Sequence, residues 1–125
     1  VDLARLAHDQ TVNRIVMGAG LIALPQVFGR VWMGSQARDE RHRVVARALG
    51  ARDLSLGVAG LLALREQDRT WAARAFAAQA FADAVDLAAM LAAGRRLPLS
   101  ARLVGGVLAT SSAAVAAAYA RRVAP

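Results

Sequence analysis

The sequence predicts an all-α fold, a four-helix transmembrane bundle. Three observations predict it. Four apolar segments, 12–32, 44–64, 71–93 and 98–120, are each near the roughly 20 residues that a helix needs to cross about 30 Å of hydrocarbon. The first and last of them lack a polar face. Small residues recur at helical steps along the second and fourth. Composition leans the same way, with 57% apolar and 20% charged residues against about 45–50% and about 25% in a soluble domain. At 125 residues the chain has room for one domain.

The first segment is uncharged from Ile15 to Gly29, with Gln26 its only polar side chain. Pro25 removes a backbone donor there and is expected to kink or end the helix. The connection from Arg30 to Arg43 is the longest. Its Gly34-Ser35 pair marks a turn, and Gln36 to Arg43 reads as a charged surface stretch.

The second and third segments carry charge. Arg47, Arg52 and Asp53 lie in one, and Arg74, Asp83 and Asp86 in the other. Each charge near a span centre costs about 2.5–3.5 kcal/mol on the insertion scale, so these residues must find partners. Gly94, Arg95, Arg96 and Pro98 mark a helix stop and restart. The fourth segment is uncharged from Leu103 to Ala120 and offers water only Thr110, Ser111, Ser112 and Tyr119. A water-soluble four-helix bundle, the rival architecture, needs a broad polar face on every helix, and the first and fourth segments do not supply one.

Bilayer helices associate through close backbone contact. Ala46, Gly50, Asp53, Gly57 and Gly60 share one face of the second segment, and Gly105 or Gly106, Ala109, Ser112 or Ala113, and Ala116 share one face of the fourth. Gly50, Gly57, Gly60, Gly105 and Gly106 are therefore the expected helix-packing positions. Trp32, Trp71 and Tyr119 stand near segment ends, where amphipathic aromatics settle at headgroup level.

Asp53 shares the glycine face of its helix, and Gln79, Asp83 and Asp86 form a polar stripe at four- and three-residue steps. The expected constellation is an interhelical charge network. Arg52 reaches Asp83 or Asp86, and Arg14 or Arg102 answers Asp53, the guanidinium fork being able to serve two carboxylates at once. Such a network either holds the bundle in register or supplies a titratable, cation-binding site through Asp83 and Asp86.

Several chemistries are excluded or disfavoured. The chain has no cysteine, and His8 and His42 lie in polar stretches outside the apolar segments, so no metal, haem or other cofactor is expected. No nucleophile and base can be paired, which argues against an enzyme. The sixteen arginines and the net charge of +7 lack the interleaved aromatics of a nucleic-acid surface. The lead before the first segment is mixed in charge and followed by no small-residue cleavage site, so no removed signal peptide is expected. Basic residues that are all arginine, with heavy use of Ala, Gly and Val, indicate a GC-rich bacterial genome and hence the bacterial cytoplasmic (inner) membrane. Arg30, Arg38, Arg41, Arg43, Arg95 and Arg96 flank one side, and Arg5, Arg65, Arg69, Arg121 and Arg122 the other. That small imbalance leans toward both termini outside the cytoplasm.

Arg14 with Gly18, then Pro25, Trp32 and Gly34, then Arg47, Gly50-Ala51-Arg52-Asp53 and Gly57, and an acidic residue in the third helix, together resemble uncharacterised small four-span integral membrane proteins of actinobacterial type, grouped as a domain of unknown function. The likeness covers the first three segments and is most specific from Leu49 to Gly57. It implies the fold and the membrane and supplies no activity.

The resulting expectation is a non-enzymatic accessory or scaffold subunit in the lipid bilayer, packed against itself or other membrane protein subunits. The alternative is a small homo-oligomeric transporter or ion-coupled binding protein using Asp83 and Asp86. A soluble four-helix bundle is the third.

Overall fold

A computed structural model describes residues 2–125, and these are all helical apart from short turns. Six α-helices follow in order: α1 (Leu3–Ala23), α2 (Pro25–Phe28), α3 (Arg30–Met33), α4 (Glu40–Glu66), α5 (Arg69–Ala93) and α6 (Gly106–Val123). Four of them, α1, α4, α5 and α6, are long and run up, down, up and down.

The first apolar segment is not one helix. Leu24 leaves the helical conformation at φ −131°, ψ 62°, and Pro25 opens α2 at its first position, where its missing N–H costs nothing. The carbonyls at the end of α1 consequently lose helical donors, and the Arg47 Nε–H donates to Ile22 O at 3.2 Å. The chain then crosses the top of the bundle through α2, α3 and a 3-10 turn at Gly34–Arg38, entered at Gly34 with φ +57°.

Asp39 precedes α4. At the bottom, Gln67 adopts a left-handed conformation, φ 56°, and Asp68 caps α5 by accepting from the Trp71 N–H at 2.9 Å. Asp2 caps α1 in the same way, accepting from Ala4 N–H at 3.0 Å. Gly94, at φ +52°, ends α5, and a π-helical turn at Ala101–Gly105 leads into α6.

The helices pack as two hairpins, α1 on α4 and α5 on α6. The first is a backbone-to-backbone contact. A Cβ added at Gly18 would lie 2.5 Å from Leu54 N and 2.7 Å from Gly50 O, and one at Gly50 would lie 2.7 Å from Gly18 O. Gly57 meets Ile15 and Thr11 in the same manner, and Gly60 lies against Gln79 and Thr11. In the second hairpin Phe76 and Tyr119 meet edge to face, ring centroids 4.7 Å apart. Tyr119, one turn from the end of α6, thus also packs against the buried core. Gly105 lies against Met90 and Trp32, while nothing stands within 4 Å of a Cβ at Gly106. Gly106 is therefore not a packing position. The π-turn just before it rotates the helix so that Gly105 faces inward.

The distribution of apolar side chains is inverted relative to a water-soluble core. The buried hydrophobics are mostly alanines, Ala7, Ala46, Ala63, Ala72, Ala75 and Ala116 among them, with Leu21 and Phe76 the large exceptions. The exposed ones are large: Val16 on α1, Val45 and Val58 on α4, Phe81, Val85 and Leu91 on α5, Val107 and Leu108 on α6. Two helical stretches, Arg69–Arg96 and Ala101–Val123, are long and apolar enough to cross a membrane.

Candidate functional site

The polar side chains of the four long helices converge at mid-height. Arg14 sits on the α1 face that also carries Thr11, Gly18 and Leu21, all buried. Its guanidinium reaches three helices at once. Nη1 donates to Asp53 Oδ1 on α4 at 3.0 Å, and Nη2 donates to both oxygens of Asp83 on α5 at 2.6 Å and to Ser112 Oγ on α6 at 3.1 Å. Ser112 in turn donates to Asp83 Oδ2 at 2.6 Å. The Arg14 and Asp83 side chains are each only 7% exposed.

A second guanidinium lies nearer the surface. Arg52 on α4 holds Asp86 on α5 with two bonds, Nη1 to Oδ1 at 2.9 Å and Nη2 to Oδ2 at 2.6 Å. Its Nη2 also donates to Asp53 Oδ1 at 3.1 Å. The side chains of Arg52 and Asp86 are 33% and 36% exposed. Asp53 Oδ1 thus joins two ion pairs into one chain, Asp83, Arg14, Asp53, Arg52 and Asp86.

Gln79 lies one turn below and serves the backbone. Its Nε2 donates to Leu56 O at 3.1 Å, and its Oε1 accepts from Gln10 Nε2 at 3.4 Å. No donor among the described residues ties it to a carboxylate of the network.

The structure thus brings together Arg14, Arg52, Asp53, Asp83 and Asp86, and leaves out Arg102. Arg102 is exposed and, among the described residues, forms no ion pair. The reason is height. Ser112 is the α6 residue level with Asp83, and ten residues along a helix displace Arg102 by about 15 Å. Arg14, not Arg102, answers Asp53, and Arg52 takes Asp86, not Asp83.

Ser112, an alternative to Ala113 on the expected packing face of the fourth segment, is the network member that the sequence did not single out. It counts among the few polar residues of its segment, and its four-residue step to Ala116, the buried position of α6, was the available signal. Thr11, Arg14, Gly18 and Leu21 share one buried stripe of α1, which selects Arg14 from the two arginines open to Asp53.

Beside the network a cleft of about 440 Å³ opens between α1 and α6. Arg14, Asp53, Asp83 and Asp86 form its inner wall, and Met17, Trp32, Met90 and Leu108 are among its apolar lining. Among the described residues no group of three or more His, Asp or Glu is placed to hold a metal ion. The carboxylates that come closest to doing so are turned toward arginines. Comparisons of the chain with family models, curated proteins and solved structures find no match.

Proposed function

We propose that the chain is a small multi-pass protein of the bacterial inner membrane, in which α1, α4, α5 and α6 all cross the bilayer, and that it acts as a non-enzymatic accessory or scaffold subunit. The observation that carries this reading is the inverted distribution of side chains, alanine and paired charge inside, large aliphatic and aromatic residues outside. In water that arrangement forfeits the roughly 1.5–3 kcal/mol available from burying each large apolar side chain. In lipid it forfeits nothing, and small interior residues allow the close helix contacts that hold such bundles together.

Pairing supports α1 and α4 as spans despite their charges. Between Asp9 and Arg30 the only charge is Arg14, and between Arg47 and Arg65 the only charges are Arg52 and Asp53. Each of these is bonded within the network. The outward positions of α4 from Ala48 to Leu62 are Ala, Ser, Val and Leu, and the Ser55 hydroxyl donates to Ala51 O at 2.8 Å, its own helix backbone.

With both guanidiniums committed to carboxylates, the network serves as a clamp that fixes four helices in register. The outer faces, apolar but for residues such as Arg74 near one end of α5, are then the surfaces that a second copy or a larger membrane complex would cover. Two measurements test this. After lysis without detergent, the protein is expected in the membrane pellet, and recovery in the supernatant would point to the soluble bundle. In mild detergent its particle is expected to exceed one chain, and a lone monomer with no co-purifying protein would count against the scaffold role. The second reading, a binding or transport protein, draws on the cleft beside the network.

A further inference from the structure

We infer that the cleft between α1 and α6 is a binding site for a lipophilic organic cation, with Asp53 as its counter-charge. This goes beyond the scaffold role, and the site is complete within one chain. The argument begins with charge. Three carboxylates, Asp53, Asp83 and Asp86, face two guanidiniums, Arg14 and Arg52, so the constellation carries one uncompensated negative charge. In a low-dielectric interior such an excess is costly unless a cation answers it.

Geometry says where the cation belongs. Asp83 is closed on both oxygens by Arg14 and Ser112, and Asp86 is chelated by Arg52. Both contacts to Asp53 instead fall on Oδ1. Among the described residues no donor reaches Oδ2, and Asp53 lines the cleft.

The rest of the wall fits the same occupant. A volume of about 440 Å³ lies within the roughly 300–1,000 Å³ of small-molecule sites. Met17, Trp32 and Met90 line it, and an indole face with polarizable thioethers suits a large soft cation.

The test uses the full chain in detergent. Trp71→Phe leaves Trp32, which lines the cleft, as the only tryptophan. Tetraphenylphosphonium is titrated against Trp32 fluorescence, with tetraphenylborate as an anion of the same shape. Saturable quenching by the cation and none by the anion is expected. Asp53→Asn should weaken the cation by about tenfold or more, equivalent to about 1.4 kcal/mol. Should that variant unfold by circular dichroism, Ala109→Phe puts a ring into the cleft at a residue that takes no part in the network's bonds and should abolish saturation. Equal quenching by both ions, or a folded Ala109→Phe that binds as before, would overturn the assignment. Because binding is read on the purified chain, failure here leaves the membrane and partner measurements untouched, and the converse holds.

Discussion

Arg14→Met is the most informative single substitution. Its guanidinium makes bonds of 2.6 Å to both oxygens of Asp83, 3.0 Å to Asp53 and 3.1 Å to Ser112. Methionine fills much of the same volume and makes none of them. Asp83 is then a carboxylate whose side chain is 7% exposed, with Ser112 as its remaining donor. Stranding one member of a buried ion pair costs about 3–5 kcal/mol, roughly a fifth or more of a typical total stability of about 5–15 kcal/mol. Arg52→Met provides the internal scale. Arg52 and Asp86 are each about one-third exposed, and exposed pairs are worth about 0–1 kcal/mol, so its loss should be several times smaller. Denaturant unfolding in mixed micelles, followed by far-ultraviolet circular dichroism, reads both. Adding Asp83→Leu to Arg14→Met removes the stranded charge and should recover most of the loss. Equal costs for the two arginines, or less than about 1 kcal/mol for Arg14→Met, would refute the clamp.

Two further predictions concern residues that look alike in the sequence and differ in the fold. Gly50→Ala places a methyl 2.7 Å from Gly18 O and should destabilise by about 1–3 kcal/mol as the helices are forced apart. Gly106→Ala meets open space at a helical backbone angle and should stabilise by about 0.5–1 kcal/mol. Thermal unfolding in detergent distinguishes the signs. Arg102→Gln, exposed and outside the network, should change stability by no more than about 0.5 kcal/mol, in contrast to Arg14→Met in the same assay.

Much of the helical pattern was legible because it rests on local signals. Gly94 with Arg95, Arg96 and Pro98 marks the end of α5 by backbone chemistry alone, and the glycine stripe of α4 is visible at helical steps. The break at Leu24 was harder to read. Pro25 announces a kink or an end equally well, and only the tertiary setting, with Arg47 taking the Ile22 carbonyl, settles which. Gly105 and Gly106 were indistinguishable for a similar reason, since a single π-turn decides which of two adjacent residues faces inward. In the site, the residue types were evident from their cost in an apolar segment, but the pairing was not. Whether Arg14 or Arg102 answers Asp53 depends on the relative heights of four helices, and that is a property of register set by loop lengths and glycine contacts. Ser112 was not assigned to the network because a lone hydroxyl in an apolar helix usually bonds its own backbone, as Ser55 and Ser111 do.

The central claim is that four helices cross a bilayer around this paired core, and the absence of cysteine from the sequence makes it directly testable. Single cysteines would be placed at Ser35 and Arg96, at Glu66 and Ala124, and at the outward helical positions Val16, Val58, Val85 and Val107, then probed in intact membranes with an impermeant maleimide. The account predicts that Ser35 and Arg96 label from one side, that Glu66 and Ala124 label from the other, and that the four valine positions stay unlabelled until detergent dissolves the bilayer. Valine positions that react as fast as Ser35 without detergent would contradict it.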